Sequence, residues 1–148
     1  MPLSSDFLID TGIILRHLRN DKRAHNLLDY LEKVGNINVS VITYMEILTG
    51  CRPEEEKATT LLFERVSTVD ISQEIARKAA LLIKKYPAAF GRDNPRGFPD
   101  ALIAATTWQY GGTLVTLNTQ HFGRTLISEL AIKSIDQNER DWVVALKL

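Results

Sequence analysis

A chain of 148 residues, 45% apolar and 24% charged, has material for one sizeable core and is too short for two. Eighteen Lys and Arg balance eighteen Asp and Glu, which excludes a disordered polyelectrolyte and a uniformly basic nucleic-acid coat. The lone Cys51 excludes an intrachain disulfide and a cysteine metal cluster, and nothing asks for an oxidising compartment.

Phe7-Leu8-Ile9 is a short apolar run that stops at Asp10-Thr11-Gly12, the pattern of a buried strand ending in a polar turn. Ile13-Ile14-Leu15 and Leu18 suit a helix ending near Asn20-Asp21. Ala24, Leu27, Leu28 and Leu31 fall on one face of a second helix, which Gly35-Asn36 ends. Ile37, Val39 and Val41 alternate with polar neighbours and predict a second strand. Ser40 or Thr43 caps the next helix, which carries Tyr44, Met45 and Leu48 and stops at Gly50.

Pro53 followed by three glutamates is a helix start, with proline in the first turn and acids at the positive end of the dipole. Val66 to Ile71 predicts a third strand, and Ser72 opens a helix with Ile75, Ala79, Leu82 and Tyr86 at helical spacing. The stretch from Pro87 to Phe98 is irregular. A helix restarts at Pro99-Asp100 and runs to Tyr110, Gly111-Gly112 turns the chain, and Thr113 to Thr116 forms a buried strand. Ile132 to Ile135 is expected as a final edge strand, and Trp142, Val143 and Leu146 suggest that the tail docks on the body.

Strands alternating with helices imply one α/β domain over residues 1–148, with a central, mostly parallel sheet covered on both faces. Residues 101–123 hold no Asp, Glu, Lys or Arg, yet Gly111-Gly112, Gln109, Asn118 and the threonines make a poor bilayer segment. No basic-then-apolar leader opens the chain. A cytoplasmic protein without a membrane association is expected.

Functional groups of such sheets gather at the carboxyl ends of the strands. Three acids stand where an acid is costly unless used: Asp10 after the first strand, Glu46 inside an apolar helix, and Asp100 at the head of the least charged helix. Singly, Asp10 also suits a strand end or a helix cap, Asp100 suits the dipole of its helix, and Glu46 suits a buried arginine. Should the three converge, a divalent cation relieves their repulsion most simply. Oxygen ligands without cysteine favour Mg²⁺ or Mn²⁺ over Zn²⁺.

Together with their neighbours, these acids give the chain a resemblance to the PIN-domain nucleases, in particular the VapC-like toxins of toxin–antitoxin pairs. The matching blocks are Leu8-Ile9-Asp10-Thr11, Ser40 to Gly50 around Glu46, Pro99-Asp100-Ala101-Leu102-Ile103-Ala104-Ala105-Thr106, and Leu114 to Phe122. They stand in the family's order and span residues 7–122, leaving 123–148 as a final strand and tail. The resemblance implies a central parallel sheet with an acidic pocket that binds Mg²⁺ or Mn²⁺ for RNA hydrolysis, giving 5′-phosphate and 3′-hydroxyl ends. It assigns Asp10, Glu46, Asp100 and Asn118 to catalysis. By the same resemblance Asp10 and Asp100 would be the direct metal ligands, and Glu46 would ligate, hold a water or help activate it. Thr11 and Thr116 would likewise be supporting hydroxyls. His121 stands where many relatives carry an aspartate, which removes one charge. The resemblance also implies a VapB-like antitoxin and a homodimer, with Ile14, Leu15, Leu18, Tyr30 and Leu31 as contact surface or core.

RNA still has to reach an acidic pocket on a neutral protein. From Ile75 to Phe98 there are six basic residues against Asp93 alone, a local net of +5, and Lys84, Lys85, Arg92 and Arg96 are the candidate RNA contacts. Tyr86, Phe90 and Phe98 are interleaved with them as stacking candidates. The rival readings are a catalytically weak PIN-fold module that binds RNA or protein, and a metal-dependent DNA nuclease.

Overall fold

The computed structural model describes residues 6–90, 97–116, 131–134 and 144–147. Six strands form one sheet in the order β3-β2-β1-β4-β6-β5. They are β1 (Asp6–Ile9), β2 (Asn36–Ser40), β3 (Ser67–Val69), β4 (Thr113–Thr116), β5 (Ala131–Ser134) and β6 (Val144–Lys147). The pairings β1–β2, β1–β4 and β2–β3 are parallel, with Phe7 opposite both Ile37 and Thr113, whereas β6 runs antiparallel to β4 and β5. The sheet is therefore mostly parallel, as expected. The tail does more than dock: β6 lies between β4 and β5, and β5 takes the edge.

Seven helices join the described strands: α1 (Thr11–Leu18), α2 (Lys22–Val34), α3 (Val41–Gly50), α4 (Glu56–Arg65), α5 (Gln73–Lys85), α6 (Pro87–Phe90) and α7 (Gly97–Tyr110). Pro53–Glu55 forms a single 3₁₀ turn ahead of α4. Alternation along β1 divides the core. Phe7 and Ile9 pack with Ile13, Ile14, Leu28, Leu31 and Val39 on one face. Leu8 packs with Ile75, Leu82, Phe90, Ala101 and Leu114 on the other. Ile14 and Leu31, expected as contact surface or core, are core, while Tyr30 is exposed. Among the described residues no helix is long and apolar enough to cross a membrane.

Several predicted boundaries move for local reasons. Val41 opens α3 instead of closing β2, because the buried Ser40 side chain accepts a hydrogen bond from the Ile42 N–H at 3.1 Å and caps the helix there. Thr43 is thus not the cap. β3 stops at Val69 because β2, its sheet neighbour, ends opposite it at Ser40. Pro87–Phe90 is helical, not irregular, and α7 begins at Gly97, two residues before Pro99. Between α7 and β4, Gly111 adopts φ +66°, and a Cβ on Gly112 would stand 2.9 Å from the Asp6 carbonyl oxygen.

His17, on α1, is half-buried. Its ring centroid lies 4.1 Å from that of His25, and its Nδ1 is buried with no hydrogen-bond partner among the described residues. Burial, then the charges of His25 and Arg65, push His17 down from 6.5 to about 4, against an opposing pull from Asp29. The unfolded chain therefore binds a proton near 6.5 that the folded chain refuses until about 4, so stability falls as pH drops through that window. His17→Phe keeps a ring in place and removes the proton site. Thermal melts should show a shallower loss of stability over this window for the variant than for the native chain; parallel profiles would contradict the assignment.

Candidate active site

Each helix that follows a parallel strand starts at that strand's carboxyl end. Asp10 directly follows β1 and caps α1, and Ser40 ends β2 and caps α3, so α1 and α3 both begin at the same edge of the sheet. The Gly111-Gly112 turn lies at the amino end of β4, so α7 leads back toward the carboxyl edge. Its 14 residues reach about 21 Å, beyond the roughly 13 Å of the four-residue β4. Asp100 stands in the first turn of α7, at the end of the helix away from the Gly111-Gly112 turn.

Asp10 is 6% exposed, and Thr11 and Thr116 both bind its carboxylate. Oδ1 accepts the Thr11 backbone N–H at 2.8 Å, and Oδ2 accepts the Thr116 hydroxyl at 2.6 Å. Its own N–H donates to the Val115 carbonyl at 3.0 Å, which locks the residue to the end of β4. The Thr11 hydroxyl donates to Glu46 Oε1 at 3.0 Å and lies 2.9 Å from the Thr43 hydroxyl. A hydroxyl carries one proton, so with Thr11 donating to Glu46 it is Thr43 that donates to Thr11. Three threonines on three elements thus orient two carboxylates: Thr11 on α1, Thr43 on α3 and Thr116 on β4.

Thr43 was missed as a site residue. It precedes Glu46 by three positions on α3, so both fall on one helix face, and a polar residue on the Glu46 face of an apolar helix was the available signal. Asp100 is 7% exposed and lies in the positive first turn of α7. Glu46 is half-buried. Among the described residues, no three His, Cys, Asp or Glu side chains are close enough to hold one ion between them. Asn118 and His121 lie outside the described residues, as do Arg92 and Arg96. Lys84 and Lys85 are exposed at the end of α5. Phe90 is 0% exposed and cannot stack on a base from that position, which corrects the expectation for it. A separate cavity of about 440 Å³, lined by Asp6, Asn38, Asp70, Thr107 and Tyr110, contains none of the candidate acids.

The family profile described as PIN domain matches residues 7–125. Ribonuclease VapC19 of Mycobacterium tuberculosis is 36% identical over 118 residues, covering 78% of this chain and 90% of that protein. Ribonuclease VapC10 of the same organism is 30% identical over 115 residues, covering 78% and 84%. Among solved structures, a toxin-antitoxin complex from Klebsiella pneumoniae superposes with a TM-score of 0.66 at 27% identity, over 79% of this chain and 90% of that one.

Proposed function

The chain belongs to the PIN-domain family, and from that premise we propose that it is a divalent-metal-dependent endoribonuclease, the toxin of a toxin–antitoxin pair. The observation that carries the reading is the pair of carboxylates, Asp10 and Glu46, oriented by Thr11, Thr43 and Thr116. Two of the related proteins are ribonucleases by name. The partners this relationship suggests are an RNA substrate, a VapB-like antitoxin and a second copy of the chain, in the cytoplasm. Tyr30, Met45 and Leu48 are exposed apolar side chains suited to protein contacts.

The donor set fits Mg²⁺ or Mn²⁺. Such ions are held through one or two carboxylates, keep several waters and take the remaining oxygens from substrate phosphate. The buried carboxylates of Asp10 and Asp100 and the half-buried one of Glu46 are hard oxygen donors of that kind. Asp10 and Asp100 would hold the cation, which when bound neutralises phosphodiester charge and lowers the pKa of a water. Glu46, which accepts the Thr11 hydroxyl, would ligate, hold that water or accept its proton. Asn118 completes the proposed catalytic set.

Matched single-stranded RNA and DNA, each with Mg²⁺, Mn²⁺ or EDTA, test this function. RNA should be cut only with metal, and DNA should stay intact; RNA cleavage that persists in EDTA would sink the mechanism. Equal cutting of DNA would make the protein a general nuclease. Thr116→Val removes the 2.6 Å hydrogen bond to Asp10 at nearly constant shape. Cleavage should fall about ten- to a hundredfold, the usual effect of deleting a group that orients a ligand. Thr116→Ser should recover most of it. Equal rates for Thr116→Val and the native chain would show that the hydroxyl has no part in the site.

A further inference from the structure

Of the three aromatic residues interleaved with the basic stretch, two are engaged in the fold. Phe90 is fully buried, and Tyr86 packs partly buried against the same core, with Lys85 Nζ 5.3 Å from its ring centroid. Phe98 is different. It is 49% exposed on the first turn of α7, two residues ahead of Asp100. What sets Phe98 apart from the other exposed apolar side chains is its place two residues from Asp100.

Positive charge is brought to the same end of the helix. Lys78 Nζ lies 5.0 Å from the Trp108 ring centroid, which sets the middle of α5 against the last turn of α7. α6 follows the end of α5 and also packs on α7. The two long helices therefore run antiparallel, and the exposed Lys84 and Lys85 lie toward the first turn of α7. A flat apolar ring two residues from the Asp100 carboxylate, with lysines toward the same end of the helix, matches the division within a nucleotide, base against ring and phosphate against charge.

We propose that Phe98 is the platform on which an unpaired base next to the scissile phosphate stacks. The proposal rests on the nuclease reading of the acidic edge. In a duplex both faces of every base are already stacked, and the ring gains no partner. Every base has a π face, so this contact sets the position of the strand and leaves the choice of sequence to other groups.

The test separates the platform from the chemistry. Binding is measured in the Asp100→Asn background, with fluorescein-labelled single-stranded RNA and a matched duplex as probes. Adding Phe98→Ala should weaken single-strand binding about tenfold, a typical loss for one base–aromatic stack. Phe98→Trp should preserve it, Phe98→Leu should lose most of it, and duplex binding should stay the same. In the chain with Asp100 intact, Phe98→Ala should raise KM by a similar factor with kcat little changed. Native-strength binding by Phe98→Leu, an equal loss for the duplex, or no RNA binding by any sample would overturn the platform. So would a Phe98→Ala defect confined to association with an antitoxin. Phe98-dependent binding without cleavage by the native chain would sink the nuclease reading alone, whereas cleavage indifferent to Phe98→Ala would sink the platform alone.

Discussion

Asp10→Asn should leave the protein folded and reduce metal-dependent cleavage by about a thousandfold or more, the scale expected when several kcal/mol of charge stabilisation are lost. The fold survives because asparagine is as good an N-cap as aspartate. Its carbonyl oxygen accepts the Thr11 N–H, and its amide donates to the Thr116 hydroxyl, which turns to accept. These two hydrogen bonds are kept and the charge is lost. A Mn²⁺ titration followed beside the cleavage assay should show weakened ion binding, and a melt should place the variant close to the native chain. Cleavage at native strength would remove Asp10 from the mechanism.

Phe90→Ala should cost about 3–5 kcal/mol of stability, the range for truncating a buried phenylalanine. Phe90 is fully buried beside Leu82, Ala101 and Leu114. It also closes α6, whose four residues are too few to form a helix without tertiary support. Urea unfolding should show a large drop in midpoint for Phe90→Ala and almost none for Phe98→Ala. RNA affinity should respond in the opposite way while each variant remains folded. A Phe90→Ala variant of native stability with impaired RNA binding would reverse the roles given to the two rings.

These two phenylalanines show where sequence reading stops. They sit eight positions apart in one stretch rich in proline, glycine and basic residues, and nothing local distinguishes them. One is buried because α6 folds it under α7, a non-local contact that periodicity does not encode. The tail strand is the same kind of case: β6 inserts between β4 and β5 by antiparallel pairing, and apolar spacing reveals a strand without naming its neighbours. Val41 was misassigned because an apolar residue after an alternating run continues the strand pattern, while the deciding event is a side-chain cap one residue earlier.

The site was more legible. An acid that interrupts apolar residues at the end of a strand or inside a helix carries a burial cost visible in the sequence, so Asp10, Glu46 and Asp100 stood out before any geometry. Thr11 and Thr116 followed from the resemblance to the PIN-domain nucleases. Thr43 did not, because threonine near a helix start is usually read as a cap, and the buried Ser40 had already taken that role.

The central claim is that Asp10 and Asp100 belong to one metal-dependent site at the carboxyl edge of the sheet. The most direct test is RNA cleavage by Asp10→Asn, Asp100→Asn and the double variant, with Mn²⁺ supplied throughout. Residues that act as a unit are not additive, so each single variant should lose nearly all activity and the double variant should lose little more. Full activity in Asp100→Asn, or losses that simply multiply in the double variant, would separate the two carboxylates and contradict the shared site.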